Sequence, residues 1–236
     1  MVVLHGGPGG SPDQIVNYYK GGLVQAGVIS VYPRSLTNQL LDWNYPHSGA
    51  YLLEIVKQVA SEYRVDPKRI YLTGVSMGGG GSWVQGALGK DFYAAIGPVS
   101  GWFGASQSPG TKLLKDMPIY IMHGGKDRNV PASRSDLAVG ALKNIGRQPL
   151  VKKELPKLEE IAKADAVYRH IEDGKHNCFE PWKSRGSNEL GVMMKWMLLQ
   201  KREDPADPDA TIKLLAEHGK RFGWQPGLSP IGGYKR

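Results

Sequence analysis

The chain has 236 residues, 22% of them charged and 41% hydrophobic, which is ordinary for a single globular α/β domain. No run of about 18 apolar residues is present, so the sequence predicts no membrane span. The formal net charge is +8, but the basic residues are scattered among acidic ones without interleaved aromatic residues. This distribution indicates a solvated surface and argues against a nucleic-acid partner.

Cysteine content and the N-terminus lead to two further expectations. Cys178 is the single cysteine, which excludes an internal disulfide and a cysteine-rich metal site, and we expect a buried, unreactive thiol. The N-terminus lacks a charged region followed by a long apolar run, so no signal peptide is expected in this chain. A secreted or periplasmic origin would require that the N-terminus had been trimmed.

Short runs of β-forming residues alternate with segments of helical periodicity, a pattern typical of a parallel sheet covered by helices on both faces. In chain order, the predicted elements are a strand at 2–4, a helix from 11 to about 20, a strand at 28–32, a helix at 50–63, a strand at 70–72, a helix ending at 89, strands at 93–96 and 119–122, a helix from 131 to about 146, a strand at 166–171 and helices at 190–199 and 210–218.

Three segments fall outside this alternation. Residues 33–48 form a long polar and aromatic loop, and loops of this length in compact domains are often functional. Residues 147–165 are a charged insertion with at most one short helix. We expect a catalytic domain over residues 1–202 and a peripheral appendage over residues 203–236.

One segment, RIYLTGVSMGGGGS at residues 69–82, combines a strand, a sharp turn and a helix start. Residues 74–78 fit the pattern G-x-S-x-G, in which a serine is held on a strained turn between a buried strand and a helix. Glycines are needed because side chains beside the serine would collide with the helix. The free N–H groups of the helix start favour negative charge nearby. The pattern predicts Ser76 as a nucleophile, although a plain βα turn has the same composition.

Other strand ends carry the residues that such a nucleophile requires, and in an open parallel sheet these ends meet along one edge. The serine hydroxyl needs an imidazole to accept its proton, and the imidazole needs a carboxylate to orient it. His176 and Asp127 suit these roles, in the chain order serine, acid, histidine. Two backbone N–H groups must bind the oxyanion, and we expect them from Gly7 and Met77.

Other residues compete for these roles. Glu172 and Asp173 lie closer to His176 in sequence, and Asp127 could instead cap the helix that follows it. We favour Asp127 because it follows a predicted strand closely. His47 is the main rival of His176. The remaining histidines are expected elsewhere: His5 and His123 as organisers of glycine-rich turns, His170 within a strand and His218 in the C-terminal tail.

Taken together, these motifs resemble those of α/β-hydrolases, namely the carboxylesterases related to feruloyl esterases, polyhydroxybutyrate depolymerases and the phospholipase/carboxylesterase family. The resemblance covers about residues 2–202. It rests on LHGG at 4–7, DPKRIYLTGVSMGG at 66–79, PVSG at 98–101, His123-Gly124 followed by Asp127, and Gly174 followed by His176.

This resemblance implies an α/β-hydrolase fold with a mostly parallel sheet flanked by helices. It also implies a serine esterase without metal or cofactor, which cleaves a carboxylic ester of feruloyl, acetyl or another type through an acyl-enzyme. Chains of this type usually have one or two strands before the HGG loop. Here the sheet is expected to lack them, either because it is truncated or minimal or because an N-terminal segment is missing.

Aromatic residues in loops near the predicted site suggest a flat acyl or alcohol group in a small-molecule or polymer-attached ester. They are Trp43, Trp102, Phe179 and Trp182, and the same side chains could instead cover the core. Two other functions are compatible with the scaffold. A serine peptidase of the prolyl-oligopeptidase type usually carries a large additional domain, which does not fit this length. A catalytically silent binding module would not need the complete set of triad residues.

Overall fold

The computed structural model describes residues 1–7, 9–37, 39, 42–104, 107–179 and 188–220, which are built around a six-stranded sheet. Its strands are β1 (Val2–Leu4), β2 (Tyr71–Val75), β3 (Ala95–Val99), β4 (Ile119–Gly124), β5 (Leu150–Lys152) and β6 (Ala166–Ile171). They lie in the order β1-β2-β3-β4-β6-β5, and all neighbours are parallel. The prediction of a parallel sheet is confirmed.

Helices cover both faces of this sheet. They are α1 (Asp13–Gln25), α2 (Pro46–Glu62), α3 (Met77–Leu88), α4 (Ser133–Asn144), α5 (Leu158–Ile161), α6 (Glu189–Leu199) and α7 (Pro208–Lys220), with 3₁₀ helices at Asp42–Asn44 and Ser108–Leu114. In the described part of the chain, none of the helices combines the length and apolarity that crossing a membrane requires.

Alternation along the strands sorts the core into two layers. In β4, Ile119 and Ile121 belong to a core cluster that also contains side chains of α2, α3 and α4, whereas Tyr120 and Met122 belong to a second cluster that contains side chains of α1 and α6. Successive side chains of a strand point to opposite faces, so a strand buried on both faces is apolar throughout. The predicted apolar stripe of residues 190–199 is α6, and Trp196 within it is fully buried.

Two elements differ from the sequence-based expectations. The strand predicted at 28–32 shrinks to one bridge, in which the Val31 N–H donates to the Met1 carbonyl and the Val31 carbonyl accepts from Val3, both at 2.9 Å. The next donor of a parallel ladder would be residue 33, which is a proline without an N–H. The insertion at 147–165 contains α5 but also an unpredicted strand, β5, whose short apolar run is followed by two lysines.

The C-terminal helix α7 packs against α2. Leu215 of α7 is only 1% exposed and lies in the same core cluster as Leu52 of α2. On the surface, the Lys57 Nζ atom lies 2.7 Å from an Asp209 carboxylate oxygen. Residues 203–220 therefore contact the core directly, whereas residues 221–236 lie outside the described chain. The division into a domain at 1–202 and an appendage at 203–236 stays a prediction.

Candidate active site

Ser76 occupies the sharp turn between β2 and α3. Its φ of 59° and ψ of −116° are unusual for a residue with a side chain, and its N–H donates to the Val99 carbonyl at 2.9 Å. The turn leaves no room for a side chain at Gly74, where a Cβ would lie 2.6 Å from the Gly78 carbonyl carbon. This packing holds Ser76 in place with its side chain only half-buried.

The loop after β1, the His5 loop at residues 5–7, lies against this turn. A Cβ on Gly6 would lie 3.4 Å from the Ser76 Cβ, and one on Gly7 would lie 2.7 Å from the Met77 Cε. Met77 is the first residue of α3, where N–H groups have no acceptor within the helix. The structure therefore brings together the two residues predicted to bind an oxyanion, next to Ser76.

Buried side chains organise the loop. His5 is fully buried, and its Nε2 accepts the Ser35 N–H at 3.0 Å, so its Nδ1 carries the proton that is donated to the Gly6 carbonyl at 2.5 Å. The Trp43 indole N–H donates to the His5 carbonyl at 3.1 Å. Burial lowers the pKa of His5, which agrees with a neutral, structural imidazole.

His176 and Asp127 meet across the carboxyl ends of β6 and β4. The His176 Nδ1 lies 2.7 Å from the Asp127 Oδ2, and the Asp127 side chain is fully buried while that of His176 is 17% exposed. Glu172 and Asp173 do not take this place, since the His176 Nδ1 contacts Asp127, and the Asp173 carboxylate pairs with Lys126 at 2.5 Å.

The other contacts of Asp127 keep it ionised. Burial by itself would raise the pKa of Asp127, but hydrogen bonds from His123, from His176 and from the Val130 N–H outweigh it and hold the pKa well below its usual range. Its Oδ1 accepts the N–H groups of Asn129 and Val130 at 2.8 and 2.9 Å. Asp127 thus caps its own loop and also contacts the His176 imidazole, whereas α4, the helix that it was alternatively expected to cap, begins only at Ser133.

His123 contacts the same loop through its ring. Its imidazole is fully buried, with Nδ1 2.7 Å from the Ser135 Oγ and Nε2 2.8 Å from the Val130 carbonyl. The main rival of His176 lies elsewhere: His47 stacks on Tyr45 with ring centroids 5.3 Å apart, near the start of α2, and does not line the cavity around Ser76.

A cavity of about 760 Å³ opens above Ser76, and it contains both Ser76 and His176. Its walls combine the two predicted oxyanion residues with aromatic and amide side chains. The lining residues include Gly7, Met77, Gln14, Tyr18, Trp102, Asn129, Asn177 and Phe179. Four of these were not predicted, but Gln14 and Tyr18 are one helical turn apart after the glycine-rich loop, and Asn129 and Asn177 closely follow Asp127 and His176.

The predicted aromatic residues divide into three groups. Trp102 and Phe179 line the cavity; the Arg134 guanidinium carbon lies 3.7 Å from the centre of a Trp102 ring, and Phe179 packs edge-on against Tyr18 at 5.2 Å. Trp43 is fully buried under the His5 loop, so the structure does not bring it to the cavity. Trp182 lies outside the described residues.

Within the described ranges, no three His, Cys, Asp or Glu side chains cluster in a way that could hold a metal ion.

A parallel sheet with a serine on a strand–turn–helix elbow, followed in sequence by an acid and a histidine, is the arrangement of the α/β-hydrolase fold. Solved structures share this fold. A thermostable esterase matches with a TM-score of 0.58 at 23% identity, over 85% of this chain and 54% of that one. SOBER1 of Arabidopsis thaliana matches with a TM-score of 0.58 at 18% identity, over 83% and 95% of the two chains. The predicted α/β-hydrolase fold is confirmed.

Residues 37–148, somewhat less than half of the chain, match the model of the dienelactone hydrolase family. Among curated proteins, it is 34% identical over 105 residues to the bifunctional acetylxylan esterase/xylanase XynS20E of Neocallimastix patriciarum, covering 43% of this chain and 15% of that protein. It is 29% identical over 99 residues to a poly(3-hydroxybutyrate) depolymerase of Ralstonia pickettii, covering 37% and 19%. The chain thus spans less than a fifth of either relative, and the predicted resemblance to esterases and polyhydroxybutyrate depolymerases is confirmed.

Proposed function

We propose that this protein hydrolyses carboxylic esters through an acyl-enzyme, with Ser76 as nucleophile, His176 as general base and acid, and Asp127 as the residue that orients His176. The observation that carries the proposal is the contact of 2.7 Å between His176 and Asp127 at the cavity that also contains Ser76. The fold and the esterase relatives support the same class of reaction.

The contact with Asp127 determines which nitrogen of His176 is basic. An ionised carboxylate only accepts hydrogen bonds, so the His176 Nδ1 must carry the proton and Nε2 is left with its lone pair. As the Ser76 Oγ attacks the ester carbonyl carbon, Nε2 takes the hydroxyl proton. The same nitrogen then protonates the alcohol oxygen as its bond to carbon breaks, leaving an acyl-Ser76 ester and free alcohol.

Gly7 and Met77 act on the tetrahedral intermediate formed in each half of the reaction. Their N–H groups donate to the negatively charged carbonyl oxygen, and the start of α3 contributes the positive end of its dipole. Removal of one such donor typically costs about 3 kcal/mol of transition-state stabilisation. In the second half, water gives a proton to Nε2 and attacks the acyl carbon. The bond between this carbon and the Ser76 Oγ then breaks as Nε2 returns the proton to Oγ, which releases the acid and restores the serine hydroxyl.

The cavity suits an ester with a flat or apolar group. Trp102, Phe179 and Tyr18 provide aromatic surface, while Gln14, Asn129 and Asn177 provide groups that can donate or accept hydrogen bonds. The names of both curated relatives refer to polymers, which favours a polymer-attached ester as well as a small one.

The proposal is tested with 4-nitrophenyl acetate. The wild-type enzyme is expected to release a burst of 4-nitrophenolate stoichiometric with enzyme, because we expect this activated ester to acylate the enzyme faster than the acyl-enzyme is hydrolysed. The Ser76→Ala variant should lose the burst and at least about 10⁴-fold in turnover. Ser61→Ala is the matched control, since this exposed hydroxyl contacts only the Gln58 carbonyl of α2 among its described partners. An unchanged burst in Ser76→Ala would disprove the assignment.

Two further assays separate the other candidate functions. Cleavage of a matched 4-nitroanilide as fast as the ester would favour a peptidase, whereas we expect the ester to react far faster. A fluorophosphonate probe should label the wild type and not Ser76→Ala. Absence of labelling in the folded wild type would favour a catalytically silent binding module.

A further inference from the structure

Ser100 has a strained backbone next to the proposed site. It directly follows β3 and has a φ of 44°, in the left-handed region that glycine adopts far more readily than serine. Its N–H donates to the Met122 carbonyl at 2.8 Å, and the residue is fully buried. In the described chain, Ser76 is the other residue with a side chain and a positive φ, and it directly follows the neighbouring strand β2.

The hydroxyl of Ser100 holds the main chain of His176. The Ser100 Oγ lies 2.8 Å from the His176 carbonyl oxygen, which can only accept, so the hydroxyl donates. The Cys178 Sγ lies 3.6 Å from the same Oγ. Because the single hydroxyl proton is directed to His176, the thiol is the donor in the second contact. Ser100 therefore contacts two residues of the loop after β6, His176 and Cys178.

β4 and the loop after it contact other parts of the chain around His176, while Ser100 contacts the His176 carbonyl. Upstream of His176, the Lys126 N–H donates to the Gly174 carbonyl at 2.8 Å, and a Cβ on Gly124 would lie 2.4 Å from that same oxygen. Asp127 holds the imidazole ring of His176. Ring and backbone of His176 are thus fixed from two different strands, the ring from the loop after β4 and the carbonyl from the end of β3.

We propose that Ser100 is a positioning residue of this site, whose hydroxyl fixes the His176 main chain so that the imidazole stays aligned between Asp127 and Ser76. The proposal rests on the function proposed above. The backbone conformation alone would favour glycine, which has no group to donate to the His176 carbonyl. A buried serine in this conformation is therefore explained by its hydroxyl.

The test compares Ser100→Gly with Ser100→Ala. Both variants remove the hydroxyl, but glycine also relieves the backbone strain and should fold at least as well as the wild type. A misplacement of about 1 Å costs on the order of 100-fold in rate, so we expect kcat for 4-nitrophenyl acetate to fall about 10- to 100-fold in both variants, with KM little changed. Ser48→Ala, which removes another fully buried hydroxyl that donates to a carbonyl, at 2.6 Å from Asp42, should keep full activity. Wild-type kcat in Ser100→Gly would overturn the proposal.

A second readout does not require turnover. The proton on the His176 Nδ1 should give a downfield proton NMR resonance in the wild type, in Ser76→Ala and in Ser48→Ala, and it should broaden or vanish in Ser100→Gly. If kcat falls while this resonance is unchanged, Ser100 does not act through His176 and the proposal fails. If the wild type lacks esterase activity but its resonance depends on Ser100, the proposed function fails and the positioning role stands.

Discussion

The contact between β1 and the start of α3 allows a quantitative test at Gly78. A Cβ on this residue would lie 2.2 Å from the Leu4 carbonyl oxygen, 2.7 Å from the Leu4 carbonyl carbon and 2.8 Å from the His5 carbonyl oxygen. All three atoms are backbone, so no flexible side chain can move aside. In Gly78→Ala, α3 and the His5 loop must separate by roughly 1 Å to restore ordinary contact distances.

The expected cost follows from this separation. Overpacking of a tightly packed core typically costs about 1–3 kcal/mol, which for a chain of this size lowers Tm by roughly 2–12 °C. The same shift moves the Gly7 N–H away from Ser76, and we expect about a 100-fold loss in kcat/KM. Gly140→Ala in α4 is the matched control, because a Cβ there meets no atom within 4 Å and alanine favours the helix by about 1 kcal/mol. Thermal denaturation and ester turnover measure both effects. If Gly78→Ala melts as high as Gly140→Ala and keeps its activity, the packing argument is refuted.

Three other residues give shorter tests. Asp127→Asn should lose about 10⁴-fold in kcat. The depressed pKa of Asp127 stabilises the fold above about pH 4, and this contribution is lost as the pH falls towards the pKa of the folded state, so the urea midpoints of wild type and variant should converge towards acid. A difference between the two midpoints that is constant from pH 7 to pH 2 would contradict this. Burial raises the pKa of Cys178 to about 12. At pH 8 the thiol of the native protein should therefore react with Ellman's reagent on the order of a thousandfold more slowly than the thiol of the protein unfolded in guanidinium chloride, and rapid labelling of the native protein would contradict the burial. Leu215→Ala should cost about 2–5 kcal/mol in thermal or urea unfolding if α7 belongs to the core, and an unchanged stability would indicate a separate appendage.

The parts of the site that could be predicted from sequence are those that local backbone geometry dictates. The turn around Ser76 requires glycines at fixed spacing, so the pattern is visible in five residues. The positions of Asp127 and His176 were predictable in the same way, because each follows a strand whose carboxyl end must lie along one edge of the sheet. These positions follow from topology and need no knowledge of side-chain packing.

The parts that could not be predicted depend on contacts between distant segments. Trp43 lies in a loop long enough to be functional, and only the tertiary structure shows that it is buried beneath His5. Ser100 belongs to a recognisable PVSG segment, but its role depends on a hydrogen bond to a residue 76 positions away. The strand predicted at 28–32 forms only one bridge for a local reason that is visible in the sequence, since Pro33 lacks the N–H that would be the next donor of the ladder.

In the proposed mechanism, the arrangement around Asp127 explains why this carboxylate would orient His176 and would not compete with it as a base. Two backbone N–H groups occupy Oδ1, while His176 and His123 approach Oδ2 at 2.7 and 3.3 Å, so four groups already surround its two oxygens. A proton arriving on Asp127 would have to displace one of these donors, which the depressed pKa expresses as a free-energy penalty. The proton on His176 Nδ1 therefore stays on the imidazole, and the basic lone pair stays on Nε2. In the proposed mechanism, the hydrogen bonds of the loop after β4 and the contacts of Asp127 with the two imidazoles thus set the direction of proton transfer at Ser76.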